Sequence, residues 1–339
     1  MKIIGELNKY FEIIGLLYGC SHSDFMRKEM WDKAAAEYGI NGDELYKKVS
    51  GVHKKYFTVF DKNRSKDKEE DFDFFFSDEE EAFILFIQVI CANHPEWFDN
   101  GLENVTEESI TLAFANSLVT DESTVYSAPP SVSEMVTLLE NAAFSSSVCW
   151  KLMIILRSPK EKMANLVKIV RSSLTAYEKA VSAVGKPLER LLEEFPKGKY
   201  ISEPFMKDAV LTPVLVYPAG EFIDTSDSGY SIYIGLYAKD VYKMLEKSKD
   251  KQRNLLPALK AMSDSSKFDI LLSLKTSPKY NLELAEELNL SAATISHHMS
   301  GLLGYQLVSV EKRDGRVYYT LSRDTIRDLI AELQSVFSV

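Results

Sequence analysis

The feature that most constrains the fold is a pair of short helical patterns in the last quarter of the chain. In the first, Leu284 and Leu288 form an apolar face, and Asn281 is placed to cap the N-terminus. Asn289 follows, and asparagine tolerates the left-handed backbone that a tight helix junction needs. Ser291 can then cap the second helix. This spacing predicts a helix-turn-helix.

The second helix has two chemically different faces. Projected at about 100° per residue, Ile295 and Met299 fall on an apolar side, with His298 near them in a structural role. The other side is small and hydrogen-bonding, as a helix in a DNA major groove requires. The residues predicted to contact DNA are Ser291, Ala293, Thr294, Ser296, His297 and Ser300. Among them, Ser296 and His297 are the best candidates for contacts with bases or phosphates.

Two alternating β patterns follow the second helix, on either side of an Asp-Gly pair at 314–315. This arrangement is a strong hairpin signal, and such a hairpin would be a wing. The basic residues predicted to contact DNA phosphates or the minor groove from its tip are Lys312, Arg313 and Arg316. Residues 291–323 contain four basic side chains against two acidic ones, so positive charge is concentrated beside the second helix.

Four segments of this region resemble the ArsR/SmtB family of bacterial winged-helix regulators. They are residues 268–271, 284–288, 291–299 and 314–319. The most specific strings are Ser296-His297-His298 and Gly315-Arg316-Val317-Tyr318-Tyr319. The resemblance covers roughly the last quarter of the chain. It implies a homodimer that binds a two-fold symmetric, double-stranded DNA operator under the control of an effector.

The last helix has a continuous apolar stripe that must be buried against something. The stripe contains Ile326, Leu329, Ile330, Leu333 and Phe337. Because the terminal helix of this family pairs with its copy, the resemblance implies that these residues form a dimer interface. The alternative is that the stripe packs back on its own domain.

Metal sensing at the usual sites of the family is not expected. Many relatives use paired cysteines at the start of the helix before the recognition helix, or Asp and His on the last helix. Here residues 280–283 contain no cysteine, and the last helix has neither His nor Cys. We therefore predict no metal and no cofactor. Whether the residues Cys20, His22, Cys91 and His94 meet in space is left open by the sequence.

The chain as a whole is predicted to be α+β and mainly helical, with two domains. Residues 1–250 precede a polar boundary, and residues 255–339 form the winged-helix domain. Two segments rich in β-branched and aromatic residues, 211–217 and 230–237, predict a small antiparallel sheet in the first domain.

Two helical patterns in the first domain have predictable limits. Ser77 and the acidic residues after it suggest a capping box, which predicts a helix to about Trp97. Apolar residues from Met163 to Val184 recur about every 3.5 positions, which predicts a long helix that bends or restarts at Gly185. Such a seam is typical of an internal core helix or of a coiled-coil contact.

The first domain is predicted to sense an effector, because a winged-helix domain of this type can dimerise and bind DNA without so large an attachment. The expected partner is a small molecule or a peptide. Aromatic residues could line an apolar pocket for it, or they could fill the core. They are Phe72, Phe74, Phe75, Phe76, Tyr217, Tyr230, Tyr233 and Tyr237.

Composition and motifs exclude several functional classes. The 339 residues are 45% hydrophobic with a net charge of −10, which is not typical of a non-specific polyanion binder. No phosphate-binding glycine loop, nucleophile elbow or His-Glu-x-x-His string occurs, so we predict no enzymatic activity. The alternative function is a protein-interaction module that binds a partner protein through the winged helix and the acidic residues 1–254, which contain 31 basic and 40 acidic side chains.

The location of the protein is predicted from its cysteines and apolar segments. Cys20, Cys91 and Cys149 are widely separated, which predicts reduced thiols in the cytoplasm. The absence of a long apolar segment predicts no contact with a membrane. Glu12, together with Glu6 and Lys9, interrupts the apolar N-terminal stretch and argues against a signal peptide.

Overall fold

A computed structural model describes most of the chain. The described residues are 2–22, 31, 40–66, 69–77, 80–119, 125–142, 144–195, 209–224, 231–247, 251–290, 292–313 and 316–337. Within these ranges the chain forms seventeen helices and six strands, with 68% helix. The predicted α+β, mainly helical class is confirmed.

The elements follow one another in this order. The helices of the first part are α1 (Lys9–Ser21), α2 (Gly42–Asn63), α3 (Phe72–Phe76), α4 (Glu81–Asn93), α5 (Glu96–Asp99), α6 (Glu107–Leu118), α7 (Val132–Asn141), α8 (Ser146–Arg157), α9 (Pro159–Ser172), α10 (Leu174–Ala183), α11 (Gly185–Glu194) and α12 (Ala238–Lys247). Its strands are β1 (Lys2–Ile3), β2 (Val210–Val214), β3 (Glu221–Asp224) and β4 (Ser231–Gly235). The last part contains α13 (Lys251–Ser263), α14 (Ser265–Leu274), α15 (Asn281–Leu288), α16 (Ala292–Gly304), β5 (Val308–Arg313), β6 (Arg316–Leu321) and α17 (Arg323–Phe337).

The sheet of the first part is mixed, so the predicted antiparallel sheet is wrong. Its strand order is β1-β2-β4-β3. β2 pairs in parallel with both β1 and β4, and only β3 pairs antiparallel with β4. The prediction missed β3, a short strand between the two expected ones. β3 runs opposite to β2, and β4 runs opposite to β3. β4 therefore runs in the same direction as β2 and pairs with it in parallel.

Helix α1 lies at the centre of the larger hydrophobic core. Every residue from 10 to 19 is buried, because α2, α4 and the sheet surround the helix. Phe11, for example, stacks on Tyr233 of β4 with ring centroids 4.5 Å apart. Close packing of this kind between helix and sheet stabilises the first part of the chain.

A buried polar cluster joins α1 and α2 to the segment after β2. Glu12 accepts hydrogen bonds from the N–H groups of Leu215 (2.7 Å) and Val216 (3.0 Å) and from the hydroxyl of Tyr56 (2.9 Å). His53 Nε2 donates to the Val216 carbonyl oxygen at 3.0 Å. Burial raises the pKa of Glu12 to about 7 and lowers the pKa of His53 to about 4. These contacts fix α2 against the sheet.

The aromatic residues of interest pack in this core. Phe75 and Phe76 are buried, and Phe72 and Phe74 pack against the core while partly exposed. The buried tyrosines of the same set are Tyr217, Tyr233 and Tyr237. Tyr230 lies outside the described residues. For the others, the core-filling interpretation is confirmed.

The helix predicted to reach Trp97 is shorter than expected. α4 ends at Asn93, because a proline disfavours helical backbone in the residue before it and Pro95 follows two positions later. Ser77 ends α3 instead of capping α4, so the predicted capping box is wrong.

The predicted long helix from Met163 forms the consecutive helices α9, α10 and α11. The restart at Gly185 is confirmed, and a further break at Ser173 was not predicted. Met163, Val170 and Val184 are at most 1% exposed within the larger core. The internal-core interpretation of this seam is therefore confirmed.

The last part of the chain has apolar clusters of its own. One consists of residues from α14, α15, α16 and the start of β5, including Ile270, Leu284 and Ile295. A smaller one joins α13 to α17 through Leu255 and Leu329. Over the described ranges, none of the helices combines the length and apolar character needed to cross a membrane.

Candidate nucleic-acid interface

The junction between α15 and α16 has helix-turn-helix geometry. Asn289 adopts φ 52° and ψ 44°, the left-handed conformation predicted for it. The N–H of Leu290 donates to a carbonyl of α15 at 3.0 Å and closes the helix end.

The N-terminal cap of α15 is Tyr280, so the prediction of Asn281 as the cap is wrong by one residue. Glu283 accepts a hydrogen bond from the Tyr280 N–H at 3.0 Å there, which satisfies a free donor at the helix start.

The inner face of α16 is fixed by apolar packing. Ile295, Met299 and Leu302 are at most 1% exposed. They belong to the same cluster as Ile270 of α14 and Leu284 of α15. The predicted inner face is therefore confirmed, and it sets the orientation of α16 relative to the helix before it.

His298 is half-buried on α16, near Asp264 at the N-terminus of α14. A backbone hydrogen bond from Lys267 holds the pKa of Asp264 below its usual value, and the nearby imidazole contributes in the same direction. This position agrees with the structural role predicted for His298.

The residues predicted to contact DNA lie in α16 or directly before it. Thr294 is half-buried. Ser291 lies outside the described residues. The residues of α16 whose side chains lie outside the described part of the structure are Ala293, Ser296, His297 and Ser300. Their contacts with DNA stay predictions.

Strands β5 and β6 form the predicted hairpin. They pair antiparallel, with Lys312 opposite Val317 and Arg313 opposite Arg316 in the last two pairs before the turn. The three basic residues therefore come together at the hairpin end. Residues 314–315 and the side chains of the basic residues lie outside the described part of the chain.

The hairpin is attached to the start of α15, a contact that the sequence analysis missed. Tyr319 N–H donates to the Lys279 carbonyl at 2.8 Å, and Lys279 N–H donates back at 3.1 Å. The rings of Tyr280 and Tyr318 lie 5.5 Å apart. Because this bridge consists of a single residue pair, no alternating pattern could reveal it. It holds the hairpin and the helix-turn-helix together as one unit.

Val317 of the hairpin also packs, half-buried, against the larger core of the first part.

The apolar stripe of α17 has two different environments. Leu329 is buried against α13, and Leu333 packs there while partly exposed. Ile326 packs against the helix-turn-helix cluster. By contrast, Ile330 is 52% exposed and Phe337 is 70% exposed. Part of the stripe therefore packs against other helices of the same chain, and its other residues form an apolar surface that is exposed.

The Cys and His residues of the first part, which the sequence left open as a metal site, contact other groups in the structure. His22 Nδ1 lies 2.8 Å from the Tyr18 carbonyl oxygen, and His94 Nδ1 lies 3.0 Å from Glu96. Burial raises the pKa of Cys20 to about 12 and raises that of Cys91 strongly, which disfavours the thiolate that a metal requires. Over the described ranges, no three Cys, His, Asp or Glu side chains are arranged to hold a metal ion.

Comparisons with known proteins match the region just described. The family model of bacterial regulatory proteins of the arsR family matches residues 264–310. A curated relative, the arsenical resistance operon repressor of Staphylococcus aureus, is 32% identical over 84 residues. The alignment covers 25% of this chain and 81% of the relative. No solved structure matches the chain significantly.

The matched residues contain the α15–α16 junction and the start of the hairpin. The chain therefore belongs to the ArsR family and is a DNA-binding transcriptional regulator.

Proposed function

We propose that this regulator binds a palindromic DNA operator as a homodimer and that an effector acting on residues 1–250 controls the binding. The observation that most supports the proposal is the α15–α16 unit, with its left-handed turn at Asn289. In such units the second helix enters the major groove. Its DNA-contacting residues would be Ser291, Ala293, Thr294, Ser296, His297 and Ser300, and those of the wing Lys312, Arg313 and Arg316.

We propose residues 1–250 as the sensing domain and residues 255–339 as the DNA-binding and dimerisation domain. The separate apolar clusters of the two parts support this division. The contact of Val317 with the larger core supports communication between them, because it connects the wing to the first domain. A change in the first domain that displaces Val317 would shift the wing and the helix-turn-helix together relative to the DNA and so alter DNA affinity.

The effector is proposed not to be an arsenical or a soft metal bound at the sites usual in the family. The name of the Staphylococcus aureus relative refers to an arsenical resistance operon. The cysteines of this chain, Cys20, Cys91 and Cys149, all lie outside the region that matches the family. Soft metals and arsenicals bind thiolates, so the region in common with the relative offers no ligands of that kind.

Dimerisation is tested by the variant Ile330→Glu. Ile330 lies on the exposed side of α17, whereas Leu329 packs on α13 of the same chain, so the change should spare the fold. We expect a monomer by light scattering and a loss of operator affinity of about 100-fold or more, because a monomer reaches only one half-site. Ala331→Glu adds the same charge at a neighbouring exposed position and should remain dimeric. A dimeric Ile330→Glu protein with unchanged operator affinity would contradict the proposed interface.

A further inference from the structure

The exposed face of α2 forms a groove that the proposed function has not yet used. Its volume is about 410 Å³. The groove is lined by Tyr46, Ser50, Gly51, Lys54, Lys55 and Thr58, among others. The space above Gly51 is open, since a Cβ atom built there would meet no other atom within 4 Å. The groove thus has a small residue at its floor, and its lining combines polar groups with apolar surface that includes Val59.

Helical geometry explains how one helix can build this groove. At about 100° per residue, Gly51 and Thr58 lie almost in line along the helix. Lys54 and Lys55 fall on opposite sides of that line. Two long cationic side chains therefore flank a floor of small residues.

No carboxylate among the described residues compensates the charges of the groove. Lys54 and Lys55 are exposed, and within the described part of the chain neither forms an ion pair. Lys48 on the same helix, in contrast, forms an ion pair: its Nζ lies 2.6 Å from Oδ1 of Asp240. Among its described lining residues the groove has no carboxylate, although the whole chain has a net charge of −10. A local concentration of unpaired cations on an acidic protein favours binding of an anion.

We propose that this groove binds a small multivalent anion, a phosphate or polycarboxylate compound, as the effector of the regulator; the inference rests on the proposed function. The two ammonium groups supply charge-assisted hydrogen bonds. The hydroxyl groups of Tyr46, Ser50 and Thr58 supply further donors. The groove is shallow and open to solvent, so it would hold its ligand by charge and hydrogen bonds rather than by enclosing it.

The other contacts of α2 connect the groove to the DNA-binding domain. His53 and Tyr56 fix α2 to the buried polar cluster beneath the sheet. The ion pair of Lys48 with Asp240 fixes it to the first turn of α12. α12 ends at Lys247, and α13 begins four residues later at Lys251. An anion that displaces α2 would therefore act directly on the element that leads into the winged helix.

The site is tested by calorimetric titration of the full-length protein with inorganic phosphate, pyrophosphate and citrate, each against sodium chloride at equal ionic strength. We expect at least one of these probes to bind the wild type, and the pyrophosphate and citrate arms distinguish a phosphate from a carboxylate ligand. The double variant Lys54→Gln/Lys55→Gln should weaken that binding by about tenfold or more, because it removes two charge-assisted contacts. Lys47→Gln/Lys62→Gln removes two exposed lysines of α2 that do not line the groove, and it should bind as the wild type does.

Three results would overturn the proposal. The first is that no probe binds at millimolar concentration, and the second is equal binding by the groove variant and the wild type. The third is that the bound probe leaves operator affinity unchanged, which would remove the effector role. The titrations contain no DNA, so their outcome does not depend on operator binding. A failure of the wild type to bind its operator would instead refute the proposed function itself.

Discussion

Replacing Ser296 and His297 together with alanine is expected to reduce strongly the discrimination between the operator and scrambled DNA. Both residues belong to α16, whose opposite face is fixed by Ile295 and Met299 in the core. Each lost base contact costs about 1–3 kcal/mol, so the loss of two should lower the operator affinity by about 30-fold or more. Binding to scrambled DNA should change little, because it depends on phosphate contacts. Fluorescence anisotropy with both DNAs measures the two effects.

The double variant Ser21→Ala/His22→Ala is the matched control for this experiment. It removes the same two residue types at the end of α1, far from α16 in sequence, where both make local hydrogen bonds. It should bind the operator as the wild type does. If Ser296→Ala/His297→Ala weakens binding to both DNAs equally while circular dichroism shows an intact fold, these residues contact phosphates and do not read bases.

Replacing Glu12 with glutamine is expected to destabilise the first part of the chain in a pH-dependent manner. Glu12 is fully buried and accepts three hydrogen bonds, from Leu215, Val216 and Tyr56. The amide of glutamine presents an N–H₂ group where one carboxylate oxygen accepted hydrogen bonds. Near pH 5 the buried carboxyl is protonated, but its hydroxyl oxygen can still accept a hydrogen bond, which an amide nitrogen cannot. We therefore expect the free energy of unfolding at this pH to be about 1–3 kcal/mol lower in the variant than in the wild type.

This difference should shrink as the pH rises. The folded-state pKa of Glu12, about 7, lies above its ordinary value of 4.5. Its contribution to stability is therefore complete below about pH 4.5 and is lost as the pH rises through 7. Glutamine does not titrate, so the deficit of the variant should decrease by about 2 kcal/mol between pH 5 and pH 7.5. His53, with a folded-state pKa of about 4 against an ordinary 6.5, loses its contribution as the pH falls, but it is present in both proteins and cancels.

Urea unfolding at several pH values measures this effect. Glu178→Gln is the control, because Glu178 is exposed on α10 and the change should leave the pH profile as in the wild type. A constant difference between Glu12→Gln and the wild type from pH 5 to pH 7.5 would show that Glu12 ionises normally, and it would contradict the burial described above.

The DNA-binding region could be predicted because its signals are local. The turn at Asn289, the apolar face of α16 and the Asp-Gly hairpin each depend on residues a few positions apart. Such short-range patterns are set by helix and turn geometry. The exposed residues of the last helix are different. Leu329 and Ile330 are both apolar neighbours in the sequence. Leu329 is buried against α13 whereas Ile330 is exposed, and this difference arises from packing that the sequence does not display.

The fold of the first part of the chain could be predicted only in part, because its decisive contacts are non-local. β1 at residues 2–3 pairs with β2 about two hundred positions later, and no pattern in either segment specifies that pairing. Glu12 was interpreted as a polar interruption of an apolar stretch. Its burial depends on donors that come from Tyr56 and the segment after β2. A charge that is compensated from distant parts of the chain has no local signature.

The most direct test of the central claim is fluorescence anisotropy of the full-length protein on the DNA upstream of its own gene and on scrambled DNA, across a salt series. A regulator of the kind proposed here should bind the upstream DNA more tightly at every salt concentration. Its affinity should also fall linearly with salt on a logarithmic plot, because bound phosphates release counterions. Equally weak binding to both DNAs at all salt concentrations would contradict operator binding, and it would favour a module that binds a protein partner.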